Sequence, residues 1–417
     1  MAWTASALAA GGLSWSAAPT SAAPTAVAAS VGPTTGGWTV YHGDPLGTGT
    51  WTGLTAVNTS APVWTSPQLD GEIYGQPHYA GGDVLVATEN NTVYSLSAQT
   101  GSIVWSKHLA TPVPNSDLPC GNISPVVGVT GTPVIDGSRR ELFVVAEELT
   151  EDSVHHVLVG LDIGTGRVEV TVGVDPPGAE PAALLQRTGL NLDAGSVVFG
   201  MGGNYGDCAA YQGRVVSVAE TGGSAAGYFT VAAGTGQDQG AVWMGGAAPA
   251  VDASGHVWVA VGNSSAHSSA DRYDYSDSAL ELSSSLSLLS YFAPRDWAQD
   301  NAADRDMSTV PAVLNDGQVV VAGKSRIAYL LSGGGLGGIG GQEAELAVPC
   351  GDDIDGGVAV SGTTVYLPCL TGPVAVAARM RRLWSELAWP ARSTGGCGRP
   401  SACGMTPHRP AKTPDGG

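Results

Sequence analysis

Residues 92–109, TVYSLSAQTGSIVWSKHL, constrain the fold more than any other stretch of the chain. Val93 and Leu96, then Ile103 and Trp105, alternate as half-buried strands do, and Gln99-Thr100-Gly101 supplies a turn in which glycine accepts a positive φ. The segment therefore reads as a hairpin. Looser copies follow at 155–172, 212–231, 277–292 and 324–341, and a last one begins at TGPVAV, 371–376. A spacing of roughly 45–65 residues leaves room for two further strands per unit, as in 132–147 and 248–263. Four-stranded units of this size bury their faces by stacking radially. The expected fold is all-β, a β-propeller of four-stranded blades. Seven or eight blades are expected, with the ring open to being incomplete at the C-terminus.

The pattern of a hydrophobic residue, Tyr, Leu, Thr-Gly and Trp in 92–105 resembles the repeat of the PQQ-like (pyrroloquinoline quinone) β-propellers. That superfamily includes quinoprotein alcohol dehydrogenases and non-catalytic outer-membrane assembly lipoproteins. WTVYHGDPLGTGTWTGLTAVNTSAPVW, 38–64, resembles the segment that leads into the first blade, so the likeness runs over 38–376.

The ends differ from this body. Residues 1–30 are rich in Ala, Ser, Thr and Pro, with an apolar run over Trp3–Trp15 and small residues suited to signal-peptidase cleavage. They are read as a signal peptide or a flexible export segment, and the chain as secreted or extracytoplasmic. Residues 379–417 carry seven Lys/Arg and two acids, and read as a basic non-propeller tail, disordered or frameshifted. Without that tail, 35 acids face 11 bases, a net charge of −24. Such a body repels nucleic acid and anionic membrane, and no run is long and apolar enough to span a bilayer. Four cysteines lie in the body without Cys-x-x-Cys spacing. Disulfides Cys350–Cys369 and Cys120–Cys208 are the pairing considered first, with buried free thiols as the other reading.

The resemblance also implies chemistry. Quinoprotein dehydrogenases hold PQQ on the propeller axis above a calcium ion bound by Glu, Asn and Asp, with an Asp to take the alcohol proton. TGTPVIDGSRRELFVVAEE (130–148) resembles the strand carrying the calcium Glu, which falls on Glu147 or Glu148. HVWVAVGNSS (256–265) matches the calcium Asn at Asn263. The loop FAPRDWAQDNAADRDM (292–307) matches the catalytic Asp, with Asp296, Asp304 and Asp306 as candidates and Asp304 and Asp306 preferred. AGKSRIAYLL (322–331) places the quinone-facing cation at Lys324. Each has a plainer reading: a turn Asn at a strand end, acids solvated or paired with Arg305, a surface Lys, a solvated loop start at Glu147 and Glu148. The family's adjacent cysteine pair has no counterpart, since Cys120 stands alone in LPCGNISP.

GDDIDGG (351–357) places three carboxylates within four positions without EF-hand spacing, and reads first as an acidic turn. His155 and His156, neighbours on a strand, are expected to face opposite ways and receive no role. Two functions follow. One is an exported, non-catalytic propeller, monomeric, binding a protein or glycan partner. The other is a PQQ- and calcium-dependent alcohol dehydrogenase, in which Glu147 or Glu148, Asn263, an Asp and Lys324 converge on one axial pocket.

Overall fold

The computed structural model describes residues 37–51, 60–223 and 225–377. The export segment 1–30 and the tail 379–417 lie outside the described residues. Among the described residues one short α-helix, Trp297–Ala302, accompanies six successive, mainly antiparallel sheets of three or more strands.

The first sheet orders His78–Ala80, Asp83–Ala87, Thr92–Ser97 and Ile103–His108 as a meander. The second repeats it with Val134–Asp136, Glu141–Thr150, Ser153–Asp162 and Val168–Gly173. Asn191–Asp193, Ser196–Gly203, Arg214–Ala219 and Gly227–Thr230 form the third, and Ala250–Val251, Val257–Val261, Ser278–Leu282 and Leu288–Ala293 the fourth. The fifth contains Ala312–Val313, Gln318–Ala322, Ile327–Ser332 and Ala344–Ala347; the sixth has three strands, Ala359–Ser361, Thr364–Leu367 and Val374–Ala377. Among the described residues a seventh, two-stranded sheet pairs Val113–Pro114 with Val126–Val127 between the first and second.

Both faces of the central strands are covered, which is why they read as near-continuous apolar runs. In the second sheet Leu142, Val144 and Ala146 pack toward the first sheet's Leu85 and Val93, while Phe143 and Val145 pack toward the third sheet's Val197 and Phe199. Period-two alternation therefore divides one strand between two cores, and each such Leu, Val or Phe contributes about 1.5–3 kcal/mol by its burial. The fourth strands lie outermost, with Ile103 41% and Val104 53% exposed, so the half-buried reading of that strand holds only for Trp105.

The repeat motif has a mechanical cause. Gly101 (φ +70°) and Gly166 (φ +69°), the glycines of two successive Thr-Gly turns, each sit under a Trp ring from the unit before, Trp64 and Trp105 respectively. Each indole also donates to the carbonyl three residues before its glycine, Trp64 Nε1 to Ala98 O at 2.7 Å and Trp105 Nε1 to Ile163 O at 3.0 Å. At the next junction Val170 replaces the ring over Gly222, so the motif fades there while the contact persists. Gly166→Ala puts a Cβ 2.6 Å from the Trp105 ring at a left-handed φ. It is expected to lower unfolding stability by about 3 kcal/mol in urea titration.

The copy at 324–341 departs from the pattern. Its fourth strand is Ala344–Ala347, and the glycine-rich stretch before it turns back so that Gly338–Ile339 pairs parallel with Leu288–Ala293 of the fourth sheet. Positive φ at Gly335, Gly337, Gly338 and Gly340 permits that excursion.

Residues 38–50 tie the sheets together. Trp38 exchanges backbone hydrogen bonds with Tyr79 of the first sheet, Thr39 O accepts from Ile135 N of the second, and Pro45 O accepts from Asn191 Nδ2 of the third and Val251 N of the fourth. Thr48 O accepts from Val360 N of the sixth, and His42 Nδ1 lies 2.9 Å from Val358 O. One short segment can reach the first strands of five sheets only if those strands surround a common axis. None of the buried apolar clusters among the described residues spans the sixth and first sheets, so this lead-in segment is what joins them.

Candidate functional site

In a four-stranded meander the turn between second and third strands shares one end with the connection to the next sheet. That end collects every candidate named from the sequence. Asn263 follows Val257–Val261 in the fourth sheet, Lys324 follows Gln318–Ala322 in the fifth, and Asp304 and Asp306 lie in the connection between them. Glu147 and Glu148 lie toward the same end of the second sheet.

Three of the sites converge. Lys324 Nζ is 2.6 Å from Asp306 Oδ2 and 3.0 Å from Asp304 Oδ1, and it lies 5.4 Å from the centre of the Trp243 ring. Asp306 is 4% exposed, and its other oxygen accepts the Asn263 backbone N–H at 2.6 Å. Gly262 makes that approach possible, because a Cβ there would lie 2.5 Å from Asp306 Oδ1. Burial raises the Asp306 carboxyl pKa, with the Lys324 ammonium opposing it. For Lys324, burial works to lower the pKa, but attraction to Asp306 and hydrogen bonds to both acids outweigh it and leave the pKa raised. Asp304 is largely solvent-exposed, so its bond to Lys324 is worth little beside that of Asp306. Arg305 pairs with Asp300 at 3.6 Å, where the sequence offered Asp304 and Asp306 as its partners. Asp296 precedes the helix Trp297–Ala302 as its N-cap residue.

Glu147 belongs to a different network. The reading of Glu147 as a solvated loop start is corrected: it lies inside the ten-residue strand Glu141–Thr150 and is 2% exposed. Its register partner is His156, whose Nε2 lies 3.5 Å from Glu147 Oε2 and whose Nδ1 lies 2.9 Å from Asp175 Oδ1. His156 is fully buried; burial works to lower its pKa, but the two carboxylates outweigh it and push it up to about 9. Asp175 also takes His155 Nδ1 at 3.0 Å, so two neighbouring histidines that strand alternation sends apart reach one carboxylate. Glu148 points away from this cluster and accepts from Thr150 Oγ1 at 3.4 Å.

A further group that the sequence did not single out lies nearer the lead-in segment. Glu89, 2% exposed, accepts from Gly128 N and Thr130 Oγ1, and burial first, then the charge of Glu147, pushes its carboxyl up to about 7. Arg187 feels Glu89, Tyr41 and Tyr74, and packs its guanidinium against Gly246. Beyond these, an open recess of about 420 Å³ is lined by Asp117, Leu149, Asp152, His155, Glu180 and Ala182 among others.

The calcium and PQQ implied by the resemblance can be tested against these side chains. Among the described residues no hydrogen bond or ion pair joins Glu147 or Glu148 to Asn263, and no group of three His, Cys, Asp or Glu side chains could hold a metal ion, the 351–357 turn included. A raised-pKa imidazole already stands beside Glu147, and an ammonium beside Asp306. A hard dication at Glu147 would meet the positive charge of His156, and Glu147 and Glu148 do not join Asn263, so the residues do not fit the calcium site that the resemblance implies.

A family model described as outer membrane protein assembly factor BamB matches residues 4–265. Among solved structures the chain is similar to a quinohemoprotein alcohol dehydrogenase from Pseudomonas putida HK5, with 15% identity, TM-score 0.57, and coverage of 75% of this chain and 48% of that one. It is also similar to the quinohemoprotein alcohol dehydrogenase from Comamonas testosteroni, with 13% identity, TM-score 0.57, and coverage of 83% and 59%. The chain thus spans about half the length of these structures, and at such identity the likeness is one of fold. No curated protein sequence matches it.

Proposed function

We propose that this chain, which belongs to the PQQ-like β-propeller family whose model is described as outer membrane protein assembly factor BamB, is an exported, non-catalytic binding module that presents its loop end to a protein or glycan partner. The observation that carries this reading is that the acid a quinoprotein would spend on calcium is already neutralised inside the protein. Glu147 is committed to His156, which Asp175 holds from its other side. The lead-in segment, hydrogen-bonded to the first strands of five sheets, holds those sheets in a fixed frame for the loops that would meet a partner. Export is supported by the disulfide Cys350–Cys369, since such bonds persist in oxidising compartments.

One observation favours the dehydrogenase reading. Asn263, Asp306 and Lys324 do gather, with the Trp243 ring beside the ammonium. Calorimetric titration with PQQ, with and without calcium, separates the two. The binding module gives no calcium-dependent heat, and Asn263→Ala leaves the titration unchanged. Calcium-dependent binding that disappears in Asn263→Ala would replace this reading with the dehydrogenase.

A further inference from the structure

Two thiols that lie far apart in sequence meet at the loop end. Cys120 is in the connection between the first and second sheets, and Cys208 is in the turn between the second and third strands of the third sheet. The Cys208 backbone N–H points at Cys120 Sγ at 3.2 Å across a separation of 88 residues. Gly206, at φ +102°, folds the turn over them; a Cβ on it would lie 3.6 Å from each sulfur. With Asn204, Asp207 and Tyr211 they line a small recess. The other body cysteines, Cys350 and Cys369, already form a bond at the same end of the ring, between a connection and a second-to-third turn.

We propose that Cys120 and Cys208 form a second cystine, a covalent clamp that braces the wall of the Lys324 cluster. Two sulfur–hydrogen bonds are exchanged for one sulfur–sulfur bond, so two protons and two electrons must leave. A dithiol-disulfide oxidant takes both electrons. The exposed Cys208, as thiolate, attacks the oxidant's disulfide and displaces one of its sulfurs as thiolate. Cys120, as thiolate, then attacks the Cys208 sulfur, forming the cystine and releasing the oxidant as a dithiol. The bond lies beside Asp207, which accepts from Tyr211 Oη at 2.7 Å and senses the charges of Asp304 and Lys324. Joining 120 to 208 therefore fixes that side of the cluster and closes a long loop in the unfolded chain.

The clamp rests on the export reading only for its oxidant in the cell, so the experiment supplies the oxidant. Purified full-length protein is reduced, equilibrated with a glutathione redox buffer, blocked with N-ethylmaleimide and mapped as non-reduced peptides by mass spectrometry. The expected result is a linked pair of peptides holding Cys120 and Cys208, neither alkylated. Cys120→Ser and Cys208→Ser should each expose the remaining partner to alkylation. Full alkylation of both cysteines in protein whose Cys350–Cys369 bond has formed would overturn the clamp. So would a bond from either one to Cys397 or Cys403.

Discussion

His156→Leu is expected to lower the free energy of unfolding by about 3–5 kcal/mol, the cost of breaking a buried charge network from one side. The imidazole is fully buried between Glu147, 2% exposed, and Asp175, and its loss leaves Glu147 without a cation where water cannot reach. The wild-type protein carries the same dependence on pH. His156 has its pKa raised from 6.5 to about 9 on folding, so its contribution is complete below pH 6.5 and is lost as pH rises through 9. A shift of that size corresponds to about 3 kcal/mol. Asp175 works in the other direction: burial raises its pKa, but the two histidines outweigh it and leave it lowered, so its contribution is present above pH 3.8 and fades as pH falls below that. Urea titrations from pH 5 to 10 should show a decline above pH 7 in the wild type and a much flatter profile in His156→Leu. Equal alkaline slopes in the two proteins would show that the imidazole is neutral in the native state.

Lys324→Met is expected to cost about 3 kcal/mol at neutral pH, because Asp306, 4% exposed, loses the ammonium 2.6 Å away and keeps only the Asn263 N–H and its buried surroundings. Burial already raises the Asp306 pKa. An acid whose folded pKa exceeds its unfolded one destabilises the native state as pH rises, so the deficit of Lys324→Met should grow from pH 4 to pH 8. Asp306→Asn on top of Lys324→Met removes the stranded charge and should recover most of the loss. A double mutant no more stable than Lys324→Met would mean that the pair is not coupled, and that Lys324 acts through its contact with Trp243.

The hairpins were legible in the sequence because their two signals are local, alternation in the strands and Thr-Gly at the turn. The Trp offset is local too, although its cause is not. Trp105 is placed by Gly166 of the next sheet, which only the assembled fold displays. The fifth copy misled for a related reason, since a run of glycines states that the backbone is free to turn but not where it goes. At the candidate site the sequence offered residue types, and Asn263, Asp304, Asp306 and Lys324 do meet. Glu147 did not join them because of its hairpin. Glu151 and Asp152 both take positive φ, and a two-residue turn there pairs Glu147 with His156 and Glu148 with His155. Reading Glu151-Asp152 as that turn would have set Glu147 opposite His156 from the sequence alone, although their burial and the approach of Asp175 belong to the assembled fold.

The lead-in segment also sets a schedule. His42 meets Val358 across 316 residues, so the lead-in segment can complete its contacts only after the sixth sheet has been made. Until then the lead-in segment lacks its partners Val358 and Val360, while its bonds to the first four sheets need nothing later in the chain. A chain arranged this way completes its native contacts only when the sixth sheet is in place.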